Sequence, residues 1–339
     1  MSAASEKIGV AVAGLGIGEQ HVRAYLSTGR CELRWLYDLD REKARRLTHD
    51  FGGGVVAESF DQILDDPLTS AVSIASFDDA HYNQVVAALN AGKHVFVEKP
   101  LCRSIDELQT VKQAWLKQEG RSKLASNLVL RAAPLYRWLK QQIESGALGE
   151  IYSIDGDYVY GRLHKITDGW RKNVPNYSVT FGGGIHLIDL MLWLTGGRPS
   201  SVYAAGNRIC TEGSDFRYHD FVAATFQYPT GLVGRITANF GSVHSHQHVL
   251  RIFGTKATFV YDDAGARLHV SCDPSVKAIP IHLSSLPETK GELIGPFVSA
   301  IINEDNLDQS TQEVFDVISI CAATDRALQT NSTMEINYT

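Results

Sequence analysis

The chain has 339 residues, more than one compact core usually holds, so two domains are expected. It is 44% hydrophobic and 21% charged, with 32 basic against 38 acidic residues and a net charge of −6. That is the balance of an ordinary soluble globular protein; with no basic stripe or Lys/Arg run, nucleic acid and membrane surfaces are poor partners.

No apolar run approaches the roughly 18 residues of a membrane span. Five cysteines (Cys31, Cys102, Cys210, Cys272, Cys321) are scattered with no CxxC pair. They argue against a disulfide framework or zinc site and fit a reducing cytoplasm.

IGVAVAG (8–14) reads as a first buried strand. Its apolar run is broken by glycines and leads into Glu19 and Gln20, unlike a signal peptide. A helical stretch follows to about Ser27, then strand ELRWLYD (32–38) and helix DREKARRLTHDF (40–51). SAVSIAS (70–76) is a strand, AHYNQVVAALNAG (80–92) a helix closed by Gly92, and HVFVEK (94–99) the next strand. In SIDELQTVKQAWLKQ (104–118), Ser104 stands three residues before Glu107, a capping box. Strand alternating with helix predicts a parallel sheet with right-handed crossovers, whose ligand lies beyond the carboxyl ends of the strands.

From about Ser122 the pattern changes. Helix 134–145 precedes long alternating strands at 149–162, 201–209, 221–228, 232–240 and 250–255, with YPTG (228–231) as a hairpin turn. A helix over 311–328 and the short strand MEIN finish the pattern. A wide sheet of this kind has one face to cover, which predicts a homodimer or homotetramer through it.

Four segments fall at carboxyl ends of the predicted parallel strands: Gly14–Gly18, Asp38, Ser76–Asp78, and Glu98 with Lys99. The turn Gly14-Leu15-Gly16-Ile17-Gly18-Glu19 matches G-x-G and then departs, with Glu19 in the sixth slot and a glycine one place early. It still follows a strand, opens a helix, and has Asp38 about 20 residues on, the context that a dinucleotide fingerprint requires. Gly14 permits the tight turn, and Gly16 lets backbone N–H groups approach a pyrophosphate. Asp38 accepts from ribose hydroxyls and repels a 2′-phosphate, which favours NAD over NADP, although Arg41 stands close enough to soften that preference.

EKPL (98–101) within AGKHVFVEKPL (91–101), SFDDAHY (76–82), LYRWLKQQIESGALGEIYSI (135–154), GWR (169–171), GGGIHLIDLMLWLTG (182–196) and RIFGTKATFVY (251–261) together resemble one family. It is the glucose–fructose oxidoreductase, inositol dehydrogenase and rhizopine-catabolism (Gfo/Idh/MocA) oxidoreductases, and the resemblance spans nearly the whole chain. It implies an α/β protein with an N-terminal Rossmann dinucleotide-binding domain, placed at residues 1–123. A C-terminal α/β domain with a large, mostly antiparallel open sheet would follow at 124–339. It implies that Lys99 lies near the nicotinamide and the reacting hydroxyl, beside a cis Lys99–Pro100 peptide. Ile17, Ser76, His81, Glu98 and the pair Trp170 and Arg171 are the further cofactor contacts expected.

Hydride transfer from a carbinol carbon needs a base for the hydroxyl proton and a donor for the oxygen. His186 at the start of GIHLIDLMLWL is the candidate base, kept neutral by the positive end of its helix. Asp189 shares its helix face as an orienting or substrate-binding acid. Many members of the family carry an aspartate four residues before this histidine, where this chain has Gly182. Either His186 works without that acid, Asp189 takes over, or a tyrosine carries the proton. Tyr158 and Tyr160 alternate on one strand face and lead to Arg162 and Lys165, a floor suited to sugar hydroxyls or an anionic group. Lys99 would hold the substrate oxygen as negative charge develops on it. In HSHQH (244–248) alternate residues stand about 6.6 Å apart on a strand, too spread for one zinc ion, so a polar and interfacial sheet face is expected.

The expected activity is an NAD-dependent dehydrogenase acting on a secondary alcohol of a sugar, sugar phosphate, nucleotide sugar or cyclitol, with no metal. A catalytically silent dinucleotide-binding regulator and a redox-neutral enzyme with tightly held NAD are the alternatives.

Overall fold

The computed structural model describes residues 7–339, in two compact units. The first comprises residues up to Val129, Pro287–Ile318 and Thr339; the second comprises Leu130–Leu286 and Ser319–Tyr338. The predicted boundary near residue 123 thus falls a few residues early, and it misses a segment of more distant sequence that belongs to the first unit.

The first unit alternates β1 (Ile8–Ala13), α1 (Gly18–Ser27), β2 (Cys31–Tyr37), α2 (Arg41–Phe51), β3 (Val55–Val56), α3 (Phe60–Asp65), β4 (Ala71–Ile74), α4 (His81–Asn90), β5 (His94–Val97), α5 (Ile105–Leu116) and β6 (Leu124–Ser126). The strands lie in the order β3-β2-β1-β4-β5-β6, and their paired registers are all parallel. The order reverses between β1 and β4, the switch point where such sheets hold a ligand. Caps set the helix starts. Asp40, Ser59 and Ser104 each accept a backbone N–H three residues on, and Glu107 reaches back to the N–H of Arg103.

The second unit holds α6 (Pro134–Glu144), β7 (Ile151–Val159), α7 (His164–Thr167), α8 (Ile185–Thr195), β8 (Ser201–Asn207), β9 (Phe221–Gln227), β10 (Val233–Asn239), β11 (Gln247–Gly254), β12 (Thr258–Asp262), β13 (Gly265–His269) and β14 (Ile279–Ile281). Its nine strands run β14-β13-β12-β11-β7-β10-β9-β8-β15, where β15 is Met334–Glu335. Every pairing is antiparallel except β7 with β10. Ile154, Tyr158, Ile236, Leu250 and Ile252 are buried on one sheet face with the apolar side of α8. The other face carries Tyr203, Thr225, Val233 and a polar row in which Arg235, Thr237 and Arg251 donate to Asp157.

After β14 the chain rejoins the first unit as α9 (Ile294–Ile302). Ile294, Phe297 and Val298 fill the core formed by Val10, Leu15, Val22, Tyr25 and Phe96. That burial is why the sequence boundary misses this segment: the apolar face of α9 is complementary to residues far away in the chain and has no local signature. α10 (Asp308–Thr330) contributes residues to both units. All five cysteines are free thiols. Among the described residues no helix is long and apolar enough to cross a membrane.

Candidate active site

In the first unit the glycine turn joins β1 to α1. Gly14 has φ +83°, and a Cβ there would lie 2.4 Å from the Ala75 carbonyl and the Ser76 nitrogen. Only glycine lets the turn lie this close to the end of β4. Gly16 faces open space, and α1 begins behind Ile17 with no side chain capping it. An uncapped helix N-terminus beside an open glycine backbone fits a pyrophosphate. The displaced third glycine also has a role. A Cβ on Gly18 would sit 2.9 Å from Val12 Cγ1, so Gly18 provides the close helix-to-strand contact from one place early.

Asp38 follows β2. Its carboxylate accepts from the N–H of Leu15 at 2.6 Å and of Asp40 at 2.9 Å, which fixes it beside the glycine turn. Arg41 is committed elsewhere, donating to the Glu58 carboxylate and to the Glu58 carbonyl.

The strand-end pair Glu98–Lys99 is followed by a cis Lys99–Pro100 peptide. Glu98 Oε1 accepts from Asn127 Nδ2 at 2.7 Å and lies 3.2 Å from His21 Nε2, while His21 Nδ1 is 2.8 Å from Ser73 Oγ. Burial alone would raise the Glu98 carboxyl. The His21 and Asn127 hydrogen bonds and the charges of His21 and Lys99 outweigh it and hold the group at about 2. Glu98 is therefore an ionised anchor under Lys99, which is more than a solvated turn would require.

His81 departs from expectation. It is fully buried, with Nδ1 2.7 Å from the Pro100 carbonyl and Nε2 3.1 Å from the Ser76 carbonyl. It braces the end of β4 against the proline turn and has no surface to offer a cofactor. Ser76 is half-buried, and its hydroxyl donates to Gln84 at 2.6 Å.

The second unit assembles its own cluster at the end of β7. Tyr158 stacks on Tyr160 (centroids 5.6 Å, 19°) and on His186 (6.0 Å, 23°). His248 stands opposite Tyr158 in the β11 register, 5.8 Å from His186 and 4.8 Å from His246. The HSHQH stretch is therefore not an outward polar face, because its last two histidines pack into this cluster. Among the described residues no group of three ligands is arranged to hold a metal. Burial, with Tyr160 and Tyr177 adding to it, pushes the Tyr158 phenol well above its ordinary range; Arg171 and Arg162 pull the other way. Tyr158 is thus a protonated donor at neutral pH. Arg162 lies over the Tyr160 ring at 5.4 Å, and Arg171 over Trp170 at 4.6 Å.

Two expectations about α8 change. A wider π-helical turn, Thr180–Gly184, precedes it, so helical structure starts well before His186. The dipole acts mainly within the first turn, and its effect on His186 is correspondingly small. Asp189, only 1% exposed, is gripped by Arg131 Nε at 2.9 Å and Nη2 at 2.6 Å. It ties α8 to the turn at Val129–Ala132.

His21, Asn127 and Tyr177 had no part in the expectations drawn from sequence, and His246 and His248 were expected on an outward face. His21 carried a signal, since Gly18, His21, Val22 and Tyr25 mark the buried stripe of α1. The others meet their partners only through tertiary packing.

A parallel sheet with this switch point, glycine turn and strand-end acid defines an NAD-binding Rossmann oxidoreductase. The chain belongs to the Gfo/Idh/MocA family. Residues 8–125 match the oxidoreductase family NAD-binding Rossmann fold, and residues 136–260 match the GFO/IDH/MocA C-terminal domain. Glucose-6-phosphate 3-dehydrogenase of Bacillus subtilis is 31% identical over 56% of this chain and 53% of its own, so the chain spans about half of that relative. An inositol 2-dehydrogenase of Rubrobacter xylanophilus is 28% identical over 75% and 71%. A solved levoglucosan dehydrogenase in complex with NADH shares the fold at TM-score 0.86, with 22% identity over 98% of this chain and all of that one.

Proposed function

We propose that this protein is an NAD-dependent dehydrogenase interconverting a secondary alcohol and a ketone on a sugar, sugar phosphate, nucleotide sugar or cyclitol. The observation that carries the reading is the carboxyl edge of the parallel sheet. There the open Gly16 turn, the fixed Asp38 and the anchored Glu98–Lys99 pair follow the ends of β1, β2 and β5. The relatives that act on glucose 6-phosphate and inositol support the substrate class.

Asp38 holds the adenosine ribose, and the Gly14–Gly18 turn holds the pyrophosphate. Arg41 is occupied by Glu58 and not reserved for a 2′-phosphate, which favours NAD over NADP. NAD, when bound, supplies the hydride acceptor. Lys99 donates to the substrate oxygen and stabilises the charge that develops on it. His186 takes the hydroxyl proton. Tyr160 and Arg162 bind neighbouring hydroxyls or an anionic group, and the family resemblance assigns Trp170 and Arg171 to the cofactor.

The test is NADH formation over a panel of sugars, sugar phosphates and cyclitols. Lys99→Ala and His186→Ala should each lower kcat by about 10²–10⁴-fold. Undiminished turnover in Lys99→Ala sinks the site assignment. Saturable NAD binding with no turnover on any candidate replaces it with the regulatory reading.

A further inference from the structure

The second unit holds a cavity of about 270 Å³ that none of His186, Tyr158 or Tyr160 lines. It is smaller than the roughly 300 Å³ at which pockets for drug-sized ligands begin, so it suits a small molecule. Arg208, Arg217 and His219 line it from the β8–β9 connection, Ser178 from the segment before α8, and Asp325 from α10.

These walls are fixed. Asp220, fully buried, accepts from the N–H of Thr211 at 2.7 Å and from its hydroxyl at 2.9 Å. The same N–H reaches the Arg208 carbonyl at 3.2 Å, closing a turn that Arg208 begins. Phe216, also fully buried, packs edge-on against Tyr177 at 6.0 Å and Tyr218 at 5.6 Å. The Tyr218 hydroxyl accepts from the Asn176 N–H at 2.8 Å, and Ser178 Oγ donates to Asp325 at 2.9 Å. A Cβ on Gly206 would lie 3.1 Å from His219 Cδ2 and 2.8 Å from the Phe221 carbonyl oxygen, so the glycine on β8 leaves the imidazole its place.

The charges are unevenly placed. Among the described residues no acid pairs with Arg208, Arg217 or His219, and both guanidiniums are exposed. The Asp325 carboxyl is governed by burial, opposed by hydrogen bonds from Ser178 and Thr180; neither guanidinium acts on it. The cations therefore stand away from the acid, which does not neutralise them. Guanidiniums match phosphate and carboxylate oxygens bidentately. A carboxyl beside a serine hydroxyl suits a ligand hydroxyl and disfavours a second anionic group.

We propose that this cavity binds a small hydroxylated anion, with Arg208 and Arg217 on its phosphate or carboxylate group and Asp325 on a hydroxyl. The proposal does not rest on the dehydrogenase reading, in which none of these residues has a part.

The probes are glycerol 3-phosphate, glycerate, inorganic phosphate and glycerol. Binding to the full chain is read by NMR on the His219 imidazole, assigned with His219→Gln. That signal is local to the cavity, so an anion seated at the glycine turn does not count. Glycerol 3-phosphate or glycerate should shift it saturably with a Kd of about 1 mM or tighter, and glycerol should not. The tighter of the two identifies the ligand as a phosphate ester or a hydroxy acid. Inorganic phosphate, with no alcohol for Asp325, should bind about 3-fold or more weakly than glycerol 3-phosphate. Arg208→Gln/Arg217→Gln should weaken anion binding about 10-fold or more and remove most of its salt dependence. Both arginines are exposed, so the denaturation midpoint of this variant should match that of the parent. No His219 shift with either organic anion up to about 10 mM overturns the proposal, as does an unchanged affinity in the double variant. Inorganic phosphate binding as tightly as glycerol 3-phosphate overturns the part given to Asp325.

Discussion

Glu98 and Asp325 are both carboxyl groups withdrawn from bulk water, yet they shift in opposite directions. At Glu98 an amide, an imidazole and the Lys99 charge overcome burial and hold the group at about 2. At Asp325 burial wins over the Ser178 and Thr180 hydroxyls, and the group rises to about 6. The signs of their pH dependence are therefore opposite. Glu98, depressed in the folded state, contributes stability above about pH 4.3 that is lost as pH falls toward 2. Glu98→Gln should flatten the acid limb of the stability curve by about 2–3 kcal/mol, read from denaturant midpoints between pH 2.5 and 7. Asp325, raised in the folded state, favours folding when protonated, and that contribution fades as pH rises from about 4 through 6. It is half-buried, so water screens part of this effect. Asp325→Asn should stabilise the protein by about 1–2 kcal/mol at pH 8 and by nearly nothing at pH 4. At this scale the sequence singled out Glu98 but not its partners. Glu98 stood out because a carboxylate ended an apolar strand, but the groups that clamp it come from α1 and from residue 127, and no spacing rule connects them.

The helix α8 illustrates what an element hides. Its apolar pattern and the GGGIH entry were legible as a buried helix carrying a histidine. Why glycines stand at 182 and 183 was not, because the reason lies in rings from Tyr158 on β7 and Tyr177 in a loop. The same holds for Asp189, which helical spacing placed near His186 and packing committed to Arg131. Removing one member of a buried ion pair leaves the other charge uncompensated, at a cost of about 3–5 kcal/mol. Asp189→Ala should therefore lower the unfolding free energy by that amount. Asp189→Leu with Arg131→Met should recover much of it and retain activity. Chemical denaturation alongside turnover decides this, since a catalytic acid at 189 would leave the double variant stable and inactive. The glycine turn went the other way: Gly18 looked like a flaw in the fingerprint and proved to be the packing glycine one residue early, against Val12.

For the whole molecule, strand alternation in the first half and long strands in the second were enough to anticipate both sheets. The return of α9 to the first unit's core was not, because its contacts are non-local. Covering of the nine-stranded sheet by a second copy is an expectation from the same pattern. On its outer face Tyr203 is 45% and Val233 42% exposed, on the same side as the Asp157, Arg235 and Arg251 row. Asp157 is held below the usual carboxylate range: burial opposes ionisation, and the Arg235 bond and charge, the Thr237 hydroxyl and the Arg251 charge outweigh it. Its charge is thus already neutralised within the chain. A face with satisfied central charges and apolar side chains at its flank suits a second copy of the same sheet, since identical faces meet across a two-fold axis. We expect light scattering to give the mass of two or four chains. Tyr203→Asp/Val233→Asp should dissociate that assembly by placing like charges against each other and burying them unpaired. A parent protein that runs as a single chain at micromolar concentration refutes this assembly. So does a charged double variant that keeps the parent mass, because burial of those two side chains is what the interface requires.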